Sequence, residues 1–316
     1  MTDARHLRVL RATFLVAVLV FAWLGLHDRL GEVGTALRAT SVLAVMLALV
    51  LVLVGLFATG LLWLRVMAAL GAALPLRDGL ATFFVGQLGK YIPGSVWSIG
   101  AQAQMAGRRA VPPRVTVAAG LLFLGYHVAT AVILGAAVML GGDLAPAWPS
   151  WLSVLLLLGA ALGLLPVLVR RLGHRLAGRP VSIGVGDTAV GLALMAVTWT
   201  AYSAGLVLLL PEAPWRAVAL VGGAFALAYA AGVLVVLAPA GVGAREGLFV
   251  LLLTPLLGIA DATALALLAR LVHTVADGAM AAGWWYAGRV SRAARGRVGR
   301  PRARTLQPLM LWRRDG

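Results

Sequence analysis

Five uncharged apolar runs constrain the fold of this chain more than any other feature of its sequence. Each is long enough to cross the hydrocarbon layer of a bilayer, which takes about 20 residues of α-helix. The runs cover residues 42–64, 115–140, 148–169, 188–210 and 217–238. The composition agrees, because 61% of residues are hydrophobic and only 12% are charged, whereas soluble domains average about a quarter charged residues. A water-soluble globular protein is therefore excluded.

A shorter apolar run near the N-terminus, residues 12–26, is also expected to cross the membrane. Arg8 and Arg11 stand just before it and can extend their side chains to the head-group layer. The segment begins like a secretory signal peptide, but residues 25–29 offer no small-x-small cleavage site. We therefore expect an uncleaved signal anchor.

Two further segments are apolar but interrupted. Residues 79–107 contain one charge, Lys90, and a turn signal, YIPGS, at 91–95. Residues 238–246 contain Pro and Gly and separate the fifth run from a short apolar run at 247–260. Each segment is therefore expected to be a broken helix.

The arginines predict the orientation of the chain in the membrane. The net charge is +16. The loop 141–147 has no basic residue, whereas 107–114 has three arginines, 170–179 has four and the tail 289–316 has nine. Cytoplasmic loops carry the excess of Lys and Arg. Both termini are therefore expected to lie in the cytoplasm, in a multi-pass protein of the plasma membrane.

If all basic stretches lie in the cytoplasm, their positions predict which of the broken segments cross the membrane. If residues 79–107 crossed the membrane, the following arginines would lie outside, so this segment is predicted to be a re-entrant hairpin. By the same reasoning, 239–260 must cross, and 262–288 crosses back. The predicted fold is an all-α polytopic bundle of about eight crossings, formed by residues 1–288. Residues 289–316 are expected to form a basic, disordered tail.

Broken helices at membrane depth favour a substrate site. Irregular backbone is tolerated there only where protein or a water-filled cavity satisfies its polar groups, and interrupted segments in the two halves of a chain indicate a site near the midplane. The ends of half-helices present free N–H groups that suit a phosphate or carboxylate. Lys90 adjoins the first break and the pair Arg245 and Glu246 adjoins the second. The alternative is a pair of proline kinks that only shape the packing.

Three polar residues share one face of the last span. Arg270, His273 and Asp277 follow a helical spacing of three and four residues. They form either a self-neutralising structural group, with Arg270 paired to Asp277 or Glu246, or a polar strip that lines a pathway. His127, in another span, is expected to be a hydrogen-bonded packing residue.

Two motifs give the chain a family resemblance. Residues 86–97, GQLGKYIPGSVW, resemble the GKYxPGxxW element of the lysylphosphatidylglycerol synthase transmembrane-region family, and residues 239–247, PAGVGAREG, resemble its PxGxGxRE element. The match covers about residues 10–288. The resemblance implies the fold and the lipid-flippase-like role of the membrane half of the multiple peptide resistance factor. It points to Lys90, Tyr91, Pro93, Gly94, Pro239, Gly241, Gly243, Arg245 and Glu246 as site residues.

One departure from that family limits what the resemblance implies. The full factor continues into a soluble aminoacyltransferase domain, whereas the membrane region here is followed only by residues 289–316. No synthase activity is therefore expected. The family serves varied lipids, so the substrate does not follow from the resemblance.

Enzyme signatures are scarce. The chain has no cysteine and five histidines, and it contains neither a Walker A motif nor HExxH. No cofactor, metal ion or nucleic acid is expected as a partner. The strongest enzymatic alternative is a membrane glycosyltransferase with a polyprenyl-linked sugar donor, for which Asp28 and Glu32 would be the acids. A non-transporting accessory subunit is a further alternative.

The sequence thus predicts a protein that binds a phospholipid or lipid-linked precursor and moves it between leaflets. Its expected partners are membrane lipids and a separately encoded enzyme. Arg270, His273 and Asp277 join the motif residues as candidate substrate-binding positions.

Overall fold

The structure, a computed structural model, describes residues 30–92, 97–141, 148–210, 217–235, 241 and 243–298, with side chains as far as residue 290. Within these residues the chain forms ten α-helices and one 3₁₀ turn, and no β-strand. The predicted all-α fold is confirmed. The helices are α1 (Leu30–Ala39), α2 (Val42–Ala69), α3 (Leu76–Gln87), α4 (Trp97–Gly107), α5 (Pro113–Met139), α6 (Ser150–Gly163), α7 (Pro166–Ala177), α8 (Val185–Val207), α9 (Ala217–Leu234) and α10 (Ala244–Val298).

Helix length and apolar composition identify the membrane spans. Five helices are long and apolar enough to cross a bilayer, namely α2, α5, α8, α9 and α10 as far as Val290, and the bent pair α6 and α7 makes a sixth if it is one span. Four of the five uncharged runs fall on α2, α5, α8 and α9, and the run 148–169 falls on the bent pair. The segment 12–26 lies outside the described residues, so the count of eight crossings stays a prediction. The chain is a polytopic helical membrane protein.

The last helix is too long for one straight crossing. A helix rises about 1.5 Å per residue, and α10 has 55 residues. Its backbone leaves the helical conformation at Gly258, where φ is +78°. The break lies near the end of the predicted segment 239–260, so α10 contains most of this segment and all of the segment 262–288. The sequence predicts a disordered tail from residue 289, but the helix continues ten residues further, to Val298.

The run 148–169 differs from the single straight span that its composition suggests. The structure divides it into α6 and α7, whose axes differ by 61°. Pro166 is the first residue of α7, and a proline disfavours helical backbone at the residue before it. Pro166 therefore ends one helix and begins the next.

Small residues let the spans approach closely. Gly55 of α2 lies against the Tyr202 ring of α8, and Thr198 donates a hydrogen bond of 3.2 Å to the Gly55 carbonyl. Such contacts are typical of helices that associate in lipid. The outer surface of α2 is apolar and exposed, with Val42 79% and Leu43 67% exposed. This surface suits a hydrocarbon environment.

The segment 79–107 folds as a hairpin. Helices α3 and α4 have 12 and 11 residues, about half the length needed to cross, and they pack against each other. Asp78, at the start of α3, accepts a hydrogen bond of 2.7 Å from Arg109, just after α4. The segment therefore folds back so that its two ends lie together, and its re-entrant course in the membrane stays a prediction.

Candidate functional site

Close contacts at two glycines shape the tip of the hairpin. After α3 the chain makes a 3₁₀ turn, Leu88–Tyr91, before α4 begins. A Cβ at Gly89 would lie 2.7 Å from the backbone nitrogen of Ser98, and one at Gly86 would lie 2.4 Å from the Gln102 side chain. Real Cβ atoms do not approach so closely, so glycine is required for this turn. The turn places Lys90 and Tyr91 at the tip.

The hairpin tip is bound to α10 through Asp277. The Lys90 ammonium lies 2.6 Å from Asp277 Oδ2, and the Tyr91 hydroxyl donates a hydrogen bond of 2.6 Å to the same oxygen. The Asp277 side chain is 6% exposed and that of Lys90 is 36% exposed. The tip is thus held by one buried carboxylate from a different part of the chain.

The second break lies between α9 and α10. Gly241 has a φ of +72°, and a Cβ there would lie 3.0 Å from the Gly232 Cα of α9. This position therefore requires glycine for its conformation and for its contact. The Gly243 N–H donates a hydrogen bond of 2.8 Å to Glu246 Oε2. A side chain that reaches back to the residue before the helix in this way stabilises the start of α10.

An ion pair joins the start of α10 to its part beyond the Gly258 break. Arg270 Nη1 lies 3.0 Å from Glu246 Oε1, and both side chains are 24% exposed. Of the two partners predicted for Arg270, the structure shows Glu246. The carboxylate of Asp277 instead receives the hairpin tip.

His273 is packed among aromatic rings. Its residue exposure is 8%, and its ring centre lies 4.9 Å from that of Tyr202 and 5.1 Å from that of Phe225. Its Nδ1 lies 2.8 Å from the Ala269 carbonyl. Its Nε2 has no hydrogen-bond partner among the described residues. The shared face of α10 therefore carries two ion-paired residues on either side of a buried histidine.

Arg245 differs from the other charged residues of this cluster. Its guanidinium lies 4.5 Å from the centre of the Phe225 ring and 5.7 Å from that of Tyr229. Within the described part of the chain, it has neither a carboxylate within 4.0 Å nor a hydrogen bond. Glu246 is its neighbour in sequence, but that carboxylate bonds Gly243 and Arg270. Arg245 thus makes cation–π contacts and keeps its hydrogen-bond donors available.

The cluster contains one more cation than it contains anions. Its cations are Lys90, Arg245 and Arg270, and its anions are Glu246 and Asp277. Two ion pairs neutralise four of these charges, so the cluster keeps one positive charge, on Arg245. Because a charge at membrane depth is costly unless it is paired, this arrangement favours an anion from outside the described residues.

A small cavity lies beside Arg245. Its walls include Arg245, Arg270 and Glu246 and the rings of Phe225 and Phe249, and its volume is about 10 Å³. This is room for about one water molecule. The conformation described here is therefore closed to any ligand as large as a lipid head group.

The structure brings together most, but not all, of the residues predicted for the site. Lys90, Tyr91 and Asp277 meet in one contact, and Arg245, Glu246 and Arg270 line the other. Pro93, Gly94 and Pro239 lie outside the described residues. The sequence did not indicate Phe225 and Tyr229, because aromatic residues in an apolar span resemble ordinary packing residues.

The sequence predicts that His127 packs in a span and is hydrogen-bonded, and the structure agrees with only the first of these. It is buried, and its ring stacks on Tyr229 with centres 4.5 Å apart and lies edge-on to Trp199 at 5.1 Å. The predicted packing role is confirmed. The predicted hydrogen bond is wrong, because neither ring nitrogen has a partner among the described residues.

Asp28 and Glu32, the acids proposed for the glycosyltransferase alternative, are distant in sequence from the residues of this cluster. Asp28 is outside the described residues, and Glu32 lies exposed on α1. Among the residues that the structure describes, no group of three or more His, Asp or Glu side chains could hold a metal ion.

Comparison with known proteins adds no family to these observations. No family model matches the chain, and no curated protein matches it either. Membership of the lysylphosphatidylglycerol synthase transmembrane-region family stays a prediction that depends on the two motifs.

Proposed function

We propose that this protein binds a phospholipid or a lipid-linked precursor and moves it between the leaflets of the membrane. The observation that carries the proposal is Arg245, which has no ion-pair partner among the described residues and lies at a helix break against two aromatic rings. The substrate's head group supplies the missing negative charge, and its acyl or prenyl chains stay in the lipid beside the bundle.

Phosphate is the group that best fits Arg245. A guanidinium presents several N–H donors in one plane and can bind two phosphate oxygens together. The start of α10 adds backbone N–H groups of its first turn that have no intrahelical partner. The rings of Phe225 and Tyr229 hold the guanidinium from the side, so its donors stay free for the ligand.

Opening the site requires the two ion pairs to rearrange. The cavity beside Arg245 is too small for a head group, and its wall includes the pair Arg270 and Glu246. The pair Lys90 and Asp277 holds the hairpin against the same helix. We infer that these two ion pairs close the site. When the substrate enters, its phosphate competes with Glu246 and Asp277 for the cations of the pairs.

The location of the protein belongs to the same proposal. The arginine-rich segments 107–114, 170–179 and 289–316 are placed in the cytoplasm, with both termini, and the host membrane is the plasma membrane. A separately encoded enzyme would supply or consume the lipid.

A lipid-transfer assay tests the proposal. The purified chain is reconstituted into vesicles with a trace of fluorescently labelled phosphatidylglycerol, and dithionite reports how fast label leaves the inner leaflet. Arg245→Gln is expected to slow transfer by at least tenfold, about the effect of losing one charge-assisted hydrogen bond to phosphate. Arg65→Gln is the matched control, because Arg65 pairs with Asp187 at an exposed position.

The control separates loss of function from loss of fold. Arg65→Gln should transfer lipid at the wild-type rate, and both variants should elute from size exclusion as the wild type does. Equal transfer by Arg245→Gln and wild type would contradict the role of Arg245. No transfer by the wild type above protein-free vesicles would favour the accessory-subunit alternative.

A further inference from the structure

Helix α7 is a short helix that bends away from α6, the helix before it. Its axis differs by 61° from that of α6, and it is only 12 residues long. It ends at Gly178, which has a left-handed conformation and whose N–H closes the helix on the His174 carbonyl. A short helix at this angle either completes a bent span with α6 or runs along the bilayer surface, and the side chains of α7 distinguish the two.

Three faces of α7 have different chemistry. Val169, Gly173 and Ala177 are buried against the bundle. Leu168 and Leu172, one turn apart, are exposed by 40% and 49%. The remaining face carries the basic side chains of Arg170, Arg171, His174 and Arg175. The helix is therefore amphipathic on the part of its surface that the protein leaves uncovered.

The basic face forms one side of a groove. The groove has a volume of about 370 Å³, and Pro180 and Val181 close its other side. In the part of the chain that the structure describes, the guanidinium groups of Arg170, Arg171 and Arg175 have no hydrogen bond or ion pair with a protein group. Arg171 and Arg175 are one turn apart, a spacing at which like charges destabilise a helix. Anions from outside the protein would remove this repulsion.

Other arginines fix the position of this groove. The Arg114 guanidinium at the start of α5 donates to the carbonyls of Leu176, at 2.9 Å, and Arg175, at 3.2 Å. Arg179 donates to the Leu70 carbonyl at the end of α2. The end of α7 is therefore tied to two membrane spans.

The exposed leucines beside the groove indicate whether its anion is a lipid phosphate or part of a soluble partner. Leu158 and Leu162 on α6 are 56% and 55% exposed, so both helices of the bent pair have uncovered leucines. A soluble acidic partner would leave the leucines in water. A bilayer covers them with acyl chains and brings lipid phosphates to the neighbouring arginines.

We propose that α7 is an interfacial helix whose basic groove binds the phosphates of anionic phospholipids in the adjoining leaflet. The site is separate from the Arg245 cluster and does not depend on lipid transport. It gives the protein a resident anionic lipid at the point where α6 meets α7.

The first experiment uses the full chain in nanodiscs and measures the depth of α7. The chain contains no cysteine, so Leu172→Cys and Arg171→Cys each provide one attachment point for a fluorophore. Spin-labelled acyl chains should quench the label at position 172, and aqueous iodide should quench the label at 171 more strongly. Equal iodide quenching at the two positions would overturn the interfacial placement.

The second experiment measures lipid retention by native mass spectrometry. The protein is released from membranes of phosphatidylglycerol and phosphatidylcholine. Changing Arg170, Arg171 and Arg175 together to Gln should lower retained phosphatidylglycerol by about 10- to 100-fold relative to phosphatidylcholine. Changing the same three residues to Lys preserves the charge and should preserve retention. Unchanged retention in the Gln variant, or equal loss in the Lys variant, would overturn the proposed site.

Discussion

Neutralising Asp277 should release the hairpin from α10. The carboxylate is 6% exposed, and it receives Lys90 and the Tyr91 hydroxyl on one oxygen, each at 2.6 Å. Hydrogen bonds to a charged group contribute about 1.5–3 kcal/mol each. Asn still accepts one of them, and water reaches the 36% exposed Lys90 side chain. We therefore expect Asp277→Asn to lower the free energy of unfolding by about 2 kcal/mol, roughly 30-fold in the equilibrium.

The assay is unfolding by sodium dodecyl sulfate in mixed micelles, followed by tryptophan fluorescence. Lys90→Met in the Asp277→Asn background removes the unpaired cation, so the double variant should recover at least half of the loss. Arg65→Gln, which breaks an exposed pair, should change the free energy by less than about 1 kcal/mol. An Asp277→Asn variant as stable as the wild type, or a double variant that shows the summed losses, would refute the reasoning.

Two other substitutions test the packing around the site. Gly89→Ala should destabilise the chain by about 1–3 kcal/mol, because its Cβ would meet the Ser98 backbone, whereas Gly100→Ala, which meets nothing within 4 Å, should be neutral or stabilising in the same unfolding assay. His127→Leu should change stability by less than about 1 kcal/mol, because the lost stacking on Tyr229 is offset by removing two unbonded ring nitrogens. A large loss of stability or of lipid transfer in His127→Leu would show that the imidazole has a polar role.

The sequence predicted the charged residues of the site more completely than their partners. Lys90 and Asp277 are conspicuous because they interrupt apolar sequence, and helical spacing places Arg270 and Asp277 on one face. The pairing of Lys90 with Asp277 joins residues far apart in the chain, and periodicity within one helix has no information about such a contact. For the same reason, the sequence left open whether Arg270 pairs with Glu246.

The sequence predicted helix breaks where several Pro and Gly residues cluster, but it did not predict the break that Pro166 causes. The motif at residues 91–95 and that at 238–246 each interrupt an apolar segment, and the structure has a break at both. Pro166 is the counterexample, because a single proline inside the run 148–169 bends it by 61°. Its neighbours are all apolar, so average hydropathy over a window conceals the bend.

The two ion pairs make α10 the common partner of both broken segments. Asp277 holds the hairpin tip, and Arg270 holds the start of the helix through Glu246. The two positions are seven residues apart, about 10 Å along the helix. A displacement of this helix segment therefore strains both contacts together. Arg245 takes part in neither pair, so it stays available for the phosphate of the proposed substrate. The proposed function would therefore account for the third cation of a cluster that has only two carboxylates among the described residues.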